Sequence, residues 1–290
     1  SLDLHTLWLN SRALTELGLD RTVKDPDGGE FERDEHGELT GVLKEAAAIP
    51  IRDGLMQSDV SGSIDSYLPL GQRELLQRGI TSIHDIDGVD CLHAYRKLHD
   101  RGELDIRVHK ILRQEQIEDF IRRGIRTHSG DEWISMGPLK LFADGALGSH
   151  TCHMSEAWPG TQDHGMAVME PEELEHWIHR AASAGIAAAV HAIGDQAATE
   201  ALDAIAANQA ISRAFGLRHR IEHAQYVKRS DVPRFRELEV TASLQPMHCT
   251  TDIPLNGFLE DRDLVAYGWN SLRRAGAELV FRAAPPGGGP

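Results

Sequence analysis

Short apolar runs alternate with amphipathic stretches along most of this chain. ITSIHDID, DIRVHKILR, LKLFADG, IAAAVHAIGD, RIEHAQ, VTASLQPMH and ELVF read as strands, rich in β-branched and aliphatic residues and too short for buried helices. Between them, the segment from Ser63 to Arg78, then VDCLHAYRKLHDRG, EQIEDFIRRG, PEELEHWIHRAASAG, QAATEALDAIAANQ, VPRFRELE and DLVAYGWNSLRRAG read as helices. Punctuation agrees with this division: Gly79 and Gly102 close helices, Pro171 opens one and Gly185 ends it, and Leu174, Trp177, Ile178 and Ala181 fall on one helical face. Strands that alternate with helices imply a parallel sheet, and about seven such units imply an α/β chain forming most of a closed (β/α)8 barrel.

Residues 1 to about 55 break the pattern. DPDGGEFERDEHGELTG is dense in Gly, Asp and Glu, with DGG and HGE as hairpin turns, so 1–55 reads as an insertion or flap on a barrel domain spanning 56–282. The tail 283–290 is Pro/Gly-rich and is expected to carry no fixed structure. With 290 residues and 41% hydrophobic content, the chain can bury one large core. Its formal charge of −15 argues against nucleic acid or an anionic membrane as partner, since either needs a basic patch, and favours a small molecule. Cys91, Cys152 and Cys249 are far apart and form no CxxC pair, which fits a reducing cytoplasm. No apolar stretch reaches the roughly 18 residues that span a bilayer, and the N-terminal SLDLHTLWLNSRAL lacks signal-peptide order, so a soluble protein is expected.

The chemistry sits where strands end. IAAAVHAIGD places His191 and RIEHAQ places His223, one strand–helix–strand unit apart, and PLKLFADGALG carries Lys140 inside an apolar run. In a parallel barrel the strand ends and the loops after them form the catalytic face. Neutral imidazoles there suit a divalent metal such as zinc, although a lone histidine in an apolar run also reads as a hydrogen-bonded core residue. A lysine in such a strand must find a partner, lose its charge or be modified, and an ion pair with Asp144 or another carboxylate is the simplest of these. The longer gap from Lys140 to His191 holds GALGSHTCHMSEAWPGTQDHGMAV, expected to lie over the catalytic face as a lid or substrate loop with His150, His153 and His164 exposed. Asp195 is expected to cap the helix that follows it.

Several motifs, in order, resemble the amidohydrolase superfamily, specifically amidohydrolase family 3, which includes N-substituted formamide deformylases. They are HTLWLNSRAL (5–14), DPDGGEFERDEHGELTGVLKE (25–45), GITSIHD (79–85), KLFADGALGS (140–149), VHAIGD (190–195), RIEHAQ (220–225) and SLQPMH (243–248), and they span nearly the whole chain. The resemblance implies an incomplete TIM-type barrel with one or two divalent metal ions, zinc first among them. Lys140 is similar to the family's carboxylated bridging lysine, and His191 and His223 to its ligands on the next two strands. It also implies hydrolysis of an amide or related C–N bond, in which a metal-bound water, acidified from a pKa near 15.7 toward about 7, attacks a carbonyl polarised by the same metal.

Two family parts are missing from the pattern. No His-x-His pair occurs, and ELVF runs into RAAPPGGGP where the family carries a catalytic aspartate. The chain therefore reads as a partial member, truncated or completed by another polypeptide, with an isolated turnover orders of magnitude below that of a complete enzyme. Two other classes stay open: a barrel whose Lys140 forms a Schiff base as aldolases do, and a catalytically incompetent barrel that binds a ligand or partner. His5, Trp8, His84, Asp144, Gln245 and His248 are candidate substrate-pocket residues, with Asp85 and Asp252 of lower weight. Open barrel edges make homo-oligomerisation an expectation as well.

Overall fold

The computed structural model describes residues 5–60, 64–252, 257 and 262–282. The 283–290 tail, which sequence leaves without structure, lies outside the described residues. The N-terminal segment forms a three-stranded antiparallel sheet, β1 (Thr6–Trp8), β2 (Gly29–Arg33) and β3 (Leu39–Glu45), in the order β1-β3-β2. The HGE turn is made as its chemistry requires: the Asp34 carboxylate accepts from the backbone N–H of His36 and Glu38, and Gly37 takes φ +79°. Phe31, Leu43, Ala47 and Ala48 form a small core of their own beneath this sheet.

Seven strands form the central sheet: β4 (Ser82–Asp85), β5 (Arg107–Leu112), β6 (Ile134–Phe142), β7 (Ala188–Ala192), β8 (Arg220–His223), β10 (Thr241–Leu244) and β12 (Glu278–Phe281). They are parallel throughout, in sequence order from β4 at one edge to β12 at the other. The sheet is a curled, incomplete (β/α)8 barrel with helices on its outer face. Strand alternation divides its residues. Leu139 and Leu141 of β6, Ala188, Val190 and Ala192 of β7, Ile221 of β8, and Ala242 and Leu244 of β10 join helix residues such as Leu174, Ile178, Ala201 and Leu202 in one continuous core. Lys140, Phe142, His191, Glu222 and Ser243 belong to the opposite, inner set.

The helices Ile64–Gln77, Val89–Asp100, Pro171–Ser183 and Asp195–Ala207 lie where periodicity places them. DLVAYGWNSLRRAG is not one helix. Leu264–Ala266 is strand β11, antiparallel to β9 (Tyr226–Lys228), and only Trp269–Arg274 is helical, because the β-branched start pairs with a neighbour and Tyr267, at φ +48°, turns the chain. Asp195 is not a cap either: Gly194 holds that position, and the Asp195 carboxylate accepts from Ser155 N–H and Oγ–H.

Candidate functional site

The site begins with alternation in β6. With Leu139 and Leu141 turned to the helices, Lys140 and Phe142 face inward, and Lys140 Nζ lies 3.6 Å from the Phe142 ring centroid while donating to the Leu141 carbonyl at 3.2 Å. The expected ion pair between Lys140 and Asp144 is not made. Burial lowers the Lys140 ammonium to about 7, against the opposing pull of Glu222, so near neutrality much of it is the free amine.

His191 is aligned with Phe142 across the β6–β7 pairing, its ring 5.4 Å from that of Phe142. Its Nε2 lies 2.8 Å from the Gly145 carbonyl, which can only accept, so Nε2 carries the proton and Nδ1 keeps the lone pair. Alternation would send His223 outward with Ile221. Instead the backbone turns left-handed at His223 (φ +74°) and Ala224 (φ +44°), and the His223 ring meets His191 at 4.6 Å. Such backbone in non-glycine residues persists only where packing imposes it, and it concentrates at functional sites. His223 Nδ1 is buried with no hydrogen-bond partner among the described residues. Burial holds both imidazoles well below their usual range, reinforced at His191 by His223 and Lys140 and at His223 by His248 and Lys140. Both rings are therefore neutral, the form in which a histidine binds a metal.

Three other sequence candidates, His5, His248 and Asp144, reach this cluster. The His5 ring lies 5.3 Å from His191, and His248 stacks on His223 at 5.2 Å while its Nδ1 contacts the Gln225 amide oxygen at 3.2 Å. Gln245 is buried at the start of the helix Pro246–Thr251, its Oε1 without a hydrogen-bond partner among the described residues. Asp144 is fully enclosed 3.5 Å from His191, and its carboxylate accepts from the backbone N–H of His153, Ile193 and Gly194. Its role is to pin the segment after β6 to the end of β7. Burial pushes its carboxyl up to about 7 even against these three N–H groups.

Trp8 and His84 are not brought to the cluster. Trp8 is 82% exposed. His84 packs against His109 at 4.8 Å; its polar partner is Arg220, at 3.1 Å, and burial with that guanidinium lowers it to about 4. The segment expected as a lid is packed: Leu147, Cys152, Met154 and Trp158 form a second core with Ile193, Tyr226 and Leu264. His150 and His164 are exposed on it, but His153 is half-buried and lies 3.4 Å from Glu200, an ion pair that sequence left unseen.

Pattern reading also missed the carboxylates. Glu45 closes β3 as a 1%-exposed residue, bonded through one oxygen to His5 Nδ1 at 2.7 Å and through the other to Thr151 Oγ1 at 2.6 Å. Glu222 faces inward between Arg220, 2.6 Å away, and Arg282; burial would raise it, but the two guanidiniums prevail and hold it below the usual carboxylate range. Two sequence signals reach Glu45: it is a charged residue closing an alternating run, GVLKE, and it ends the family-like motif 25–45. Lys110 and Asp85 form a further buried pair, at 3.2 Å.

Among the described residues no three His, Cys, Asp or Glu side chains converge closely enough to hold a metal ion between them. The donors at the cluster are right for a divalent cation in chemistry, two neutral imidazoles with an unpartnered buried nitrogen and one largely neutral amine, but they are too few to complete a coordination sphere. No helix among the described residues is long and apolar enough to cross a membrane.

The sequence pattern of the family described as "Amidohydrolase family" matches residues 1–282. "Putative amidohydrolase YtcJ" of Bacillus subtilis is 30% identical over 282 residues, covering 92% of this chain and 51% of that protein. "N-substituted formamide deformylase" of Arthrobacter pascens is 24% identical over 269 residues, covering 83% of this chain and 46% of the other. An uncharacterized metal-dependent hydrolase from Pyrococcus furiosus, of known structure, superposes with TM-score 0.72 at 28% identity over 97% of this chain and 57% of its own. The chain thus spans about half the length of the curated relatives it matches.

Proposed function

This chain belongs to the amidohydrolase family, and from that membership we propose that it forms the core of a metal-dependent hydrolase acting on an amide or other C–N bond of a small molecule. The observation that carries the reading is the pairing of His191 and His223, kept neutral by burial, around a His223 nitrogen with no partner among the described residues.

Lys140, His191 and His223 would hold the metal, zinc being favoured by neutral imidazole donors, with further ligands supplied from outside this chain's described residues. When bound, a divalent cation there supplies Lewis acidity toward a carbonyl and an acidified water. The chain's own residues do the rest. Gly145 fixes the His191 tautomer through Nε2–H, which leaves Nδ1 with the lone pair that a metal ligand would use. Lys140, much of it a free amine near neutral pH, is in the form that takes up carbon dioxide to become a carbamate, which would make it an anionic ligand. His248, stacked on His223, borders the cluster and would orient the substrate. The same free amine would serve a Schiff-base enzyme, but the two imidazoles beside it weigh toward metal chemistry.

The net charge of −15 supports a small-molecule partner over nucleic acid or an anionic membrane, and three free cysteines support a reducing compartment such as the cytoplasm. The edges at β4 and β12 support self-association or completion by further strands. In this reading 1–55 is a flap on the 56–282 barrel.

The test is elemental analysis of the purified chain grown with zinc and manganese, beside a His191→Ala, His223→Ala double variant, followed by turnover of N-formyl and N-acyl amines. About one metal per chain, lost in the double variant, is the expected result. Equal metal in both proteins, or none in either, would sink the metal assignment. Borohydride trapping of a carbonyl substrate on Lys140 would replace it with the Schiff-base reading.

A further inference from the structure

A cavity of about 400 Å³ opens at the end of the sheet opposite the His191 cluster. It lies among the loops that lead into β6, β7 and β8, parallel strands that carry Lys140, His191 and His223 toward their far ends. Its volume falls within the roughly 300–1,000 Å³ of small-molecule sites. Arg126, His128, Arg218 and Phe215 line it and no carboxylate does, in a chain whose net charge is −15. The backbone holds this wall in place. Thr127 N–H donates to the Gly185 carbonyl at 3.2 Å and Thr127 Oγ1 accepts from Ala187 N–H at 2.8 Å, which ties the loop to the entry of β7. Ser129 Oγ accepts from Arg126 N–H at 2.9 Å, and His128, at φ +69°, donates its N–H to the Met136 carbonyl at 2.7 Å. Left-handed backbone in a residue other than glycine is kept only where its surroundings impose it. A Cβ at Gly185 would stand 3.1 Å from Arg126 Cδ, so a glycine there, at φ +76°, lets the arginine lie close along the chain. From that position the Arg126 guanidinium carbon is 5.7 Å from the centroid of Phe215, a 42%-exposed ring, and the guanidinium makes no hydrogen bond or ion pair among the described residues. Arg218 pairs with Glu278 through Nη1 alone among the described residues, which leaves donors of its fork to spare.

We propose that this cavity is a second binding site, separate from the His191 cluster, and that it takes a small aromatic carboxylate. The planar fork of Arg126 matches the two oxygens of a carboxylate, and Arg218 adds a second cation on the same wall. Phe215 gives the ligand's ring an apolar face to pack on beside those cations. Repulsion selects as well: with no carboxylate in the lining, an anion meets only positive or neutral groups there, whereas most of this acidic chain repels it. The hydrogen bonds of Thr127, His128 and Ser129 fix the loop before any ligand arrives, so little ordering opposes binding. The site is independent of the hydrolase reading, because none of its residues belongs to the cluster.

The experiment is isothermal titration of the purified chain with sodium benzoate. Saturable one-to-one binding in the millimolar range or tighter is expected, and it is expected to persist in the His191→Ala, His223→Ala double variant, which removes the cluster but not this cavity. Benzamide, which keeps the ring without the charge, is expected to bind at least about tenfold more weakly, and acetate, which keeps the charge without the ring, roughly threefold to tenfold more weakly. Arg126→Gln is expected to weaken benzoate by roughly tenfold or more, since hydrogen bonds between charged groups are the strong ones, and Phe215→Ala by roughly threefold to tenfold. Because benzoate binds only the folded chain, the wild-type melting temperature is expected to rise with benzoate and that of Arg126→Gln to rise much less. No saturable benzoate binding by wild type, unchanged binding in Arg126→Gln, or binding lost in the double histidine variant overturns the proposal. Acetate or inorganic phosphate bound as tightly as benzoate overturns the assignment to an aromatic carboxylate. Should Arg126→Gln fail to fold, Phe215→Ala and the ligand series decide.

Discussion

Removing the Asp144 carboxylate tests how the site is held together. Its oxygens accept from Gly194 N–H at 2.7 Å, Ile193 N–H at 3.0 Å and His153 N–H at 3.0 Å, and the side chain is fully enclosed. In Asp144→Ala the first two of these donors stay buried without an acceptor. An unsatisfied buried polar group costs about 1–3 kcal/mol, so these two together predict a loss of about 2–6 kcal/mol, a large share of the roughly 5–15 kcal/mol that a domain has. Asp144→Asn keeps one acceptor oxygen and should lose about half as much, since an amide still serves one or two donors. Urea unfolding compares the three proteins, run above the value near 7 to which burial pushes this carboxyl, so that wild type is ionised. Amide hydrogen exchange at Ile193 and Gly194 then places the damage. Loss of less than about 1 kcal/mol in Asp144→Ala, or equal losses in the two variants, would refute the account of Asp144 as the pin between β6 and β7.

Two further outcomes follow from buried charge. Lys110 and Asp85 are 1% and 5% exposed, so Lys110→Met should cost about 3–5 kcal/mol by stranding the carboxylate, and adding Asp85→Leu should restore most of it in the same urea assay; a double variant no better than the single one would show that the ion pair is not the reason. The His153–Glu200 pair predicts a pH window. Its hydrogen-bonding partner Glu200 raises His153 above 6.5, so that contribution is present below 6.5 and fades as pH rises through the raised value; Glu200, which burial would raise but His153 lowers below 4.5, contributes above 4.5 and fades as pH falls through its lowered value. Glu200→Gln should therefore destabilise most at about pH 5.5 and least at about pH 9, as thermal melts across pH would register, and a pH-independent loss would contradict it.

Local periodicity was enough to read the architecture. Period-two strands and 3.6-period helices depend on near neighbours in the chain, and seven of them in alternation leave few alternatives to a parallel, barrel-like sheet. The same logic marks Lys140 and His191, because an inward position in a strand with outward aliphatic neighbours is a local fact. His223 was legible as a residue type but not as a direction, since its ring reaches His191 only through a left-handed turn that packing imposes. The DLVAY strand was hidden because whether a short apolar run pairs or coils depends on a partner, here Tyr226–Lys228. The meeting of Glu45, Thr151 and His5, of which only His5 was a candidate by residue type, was beyond local reading. They meet because an antiparallel strand pair returns Glu45 to His5 and the packed segment after β6 drops Thr151 onto the same carboxylate. Sequence by itself therefore determined the barrel and the polar residues at its strand ends. Tertiary structure alone decided which of them converge, because convergence is set by sheet curvature and loop path, and these are energies of the whole packed molecule.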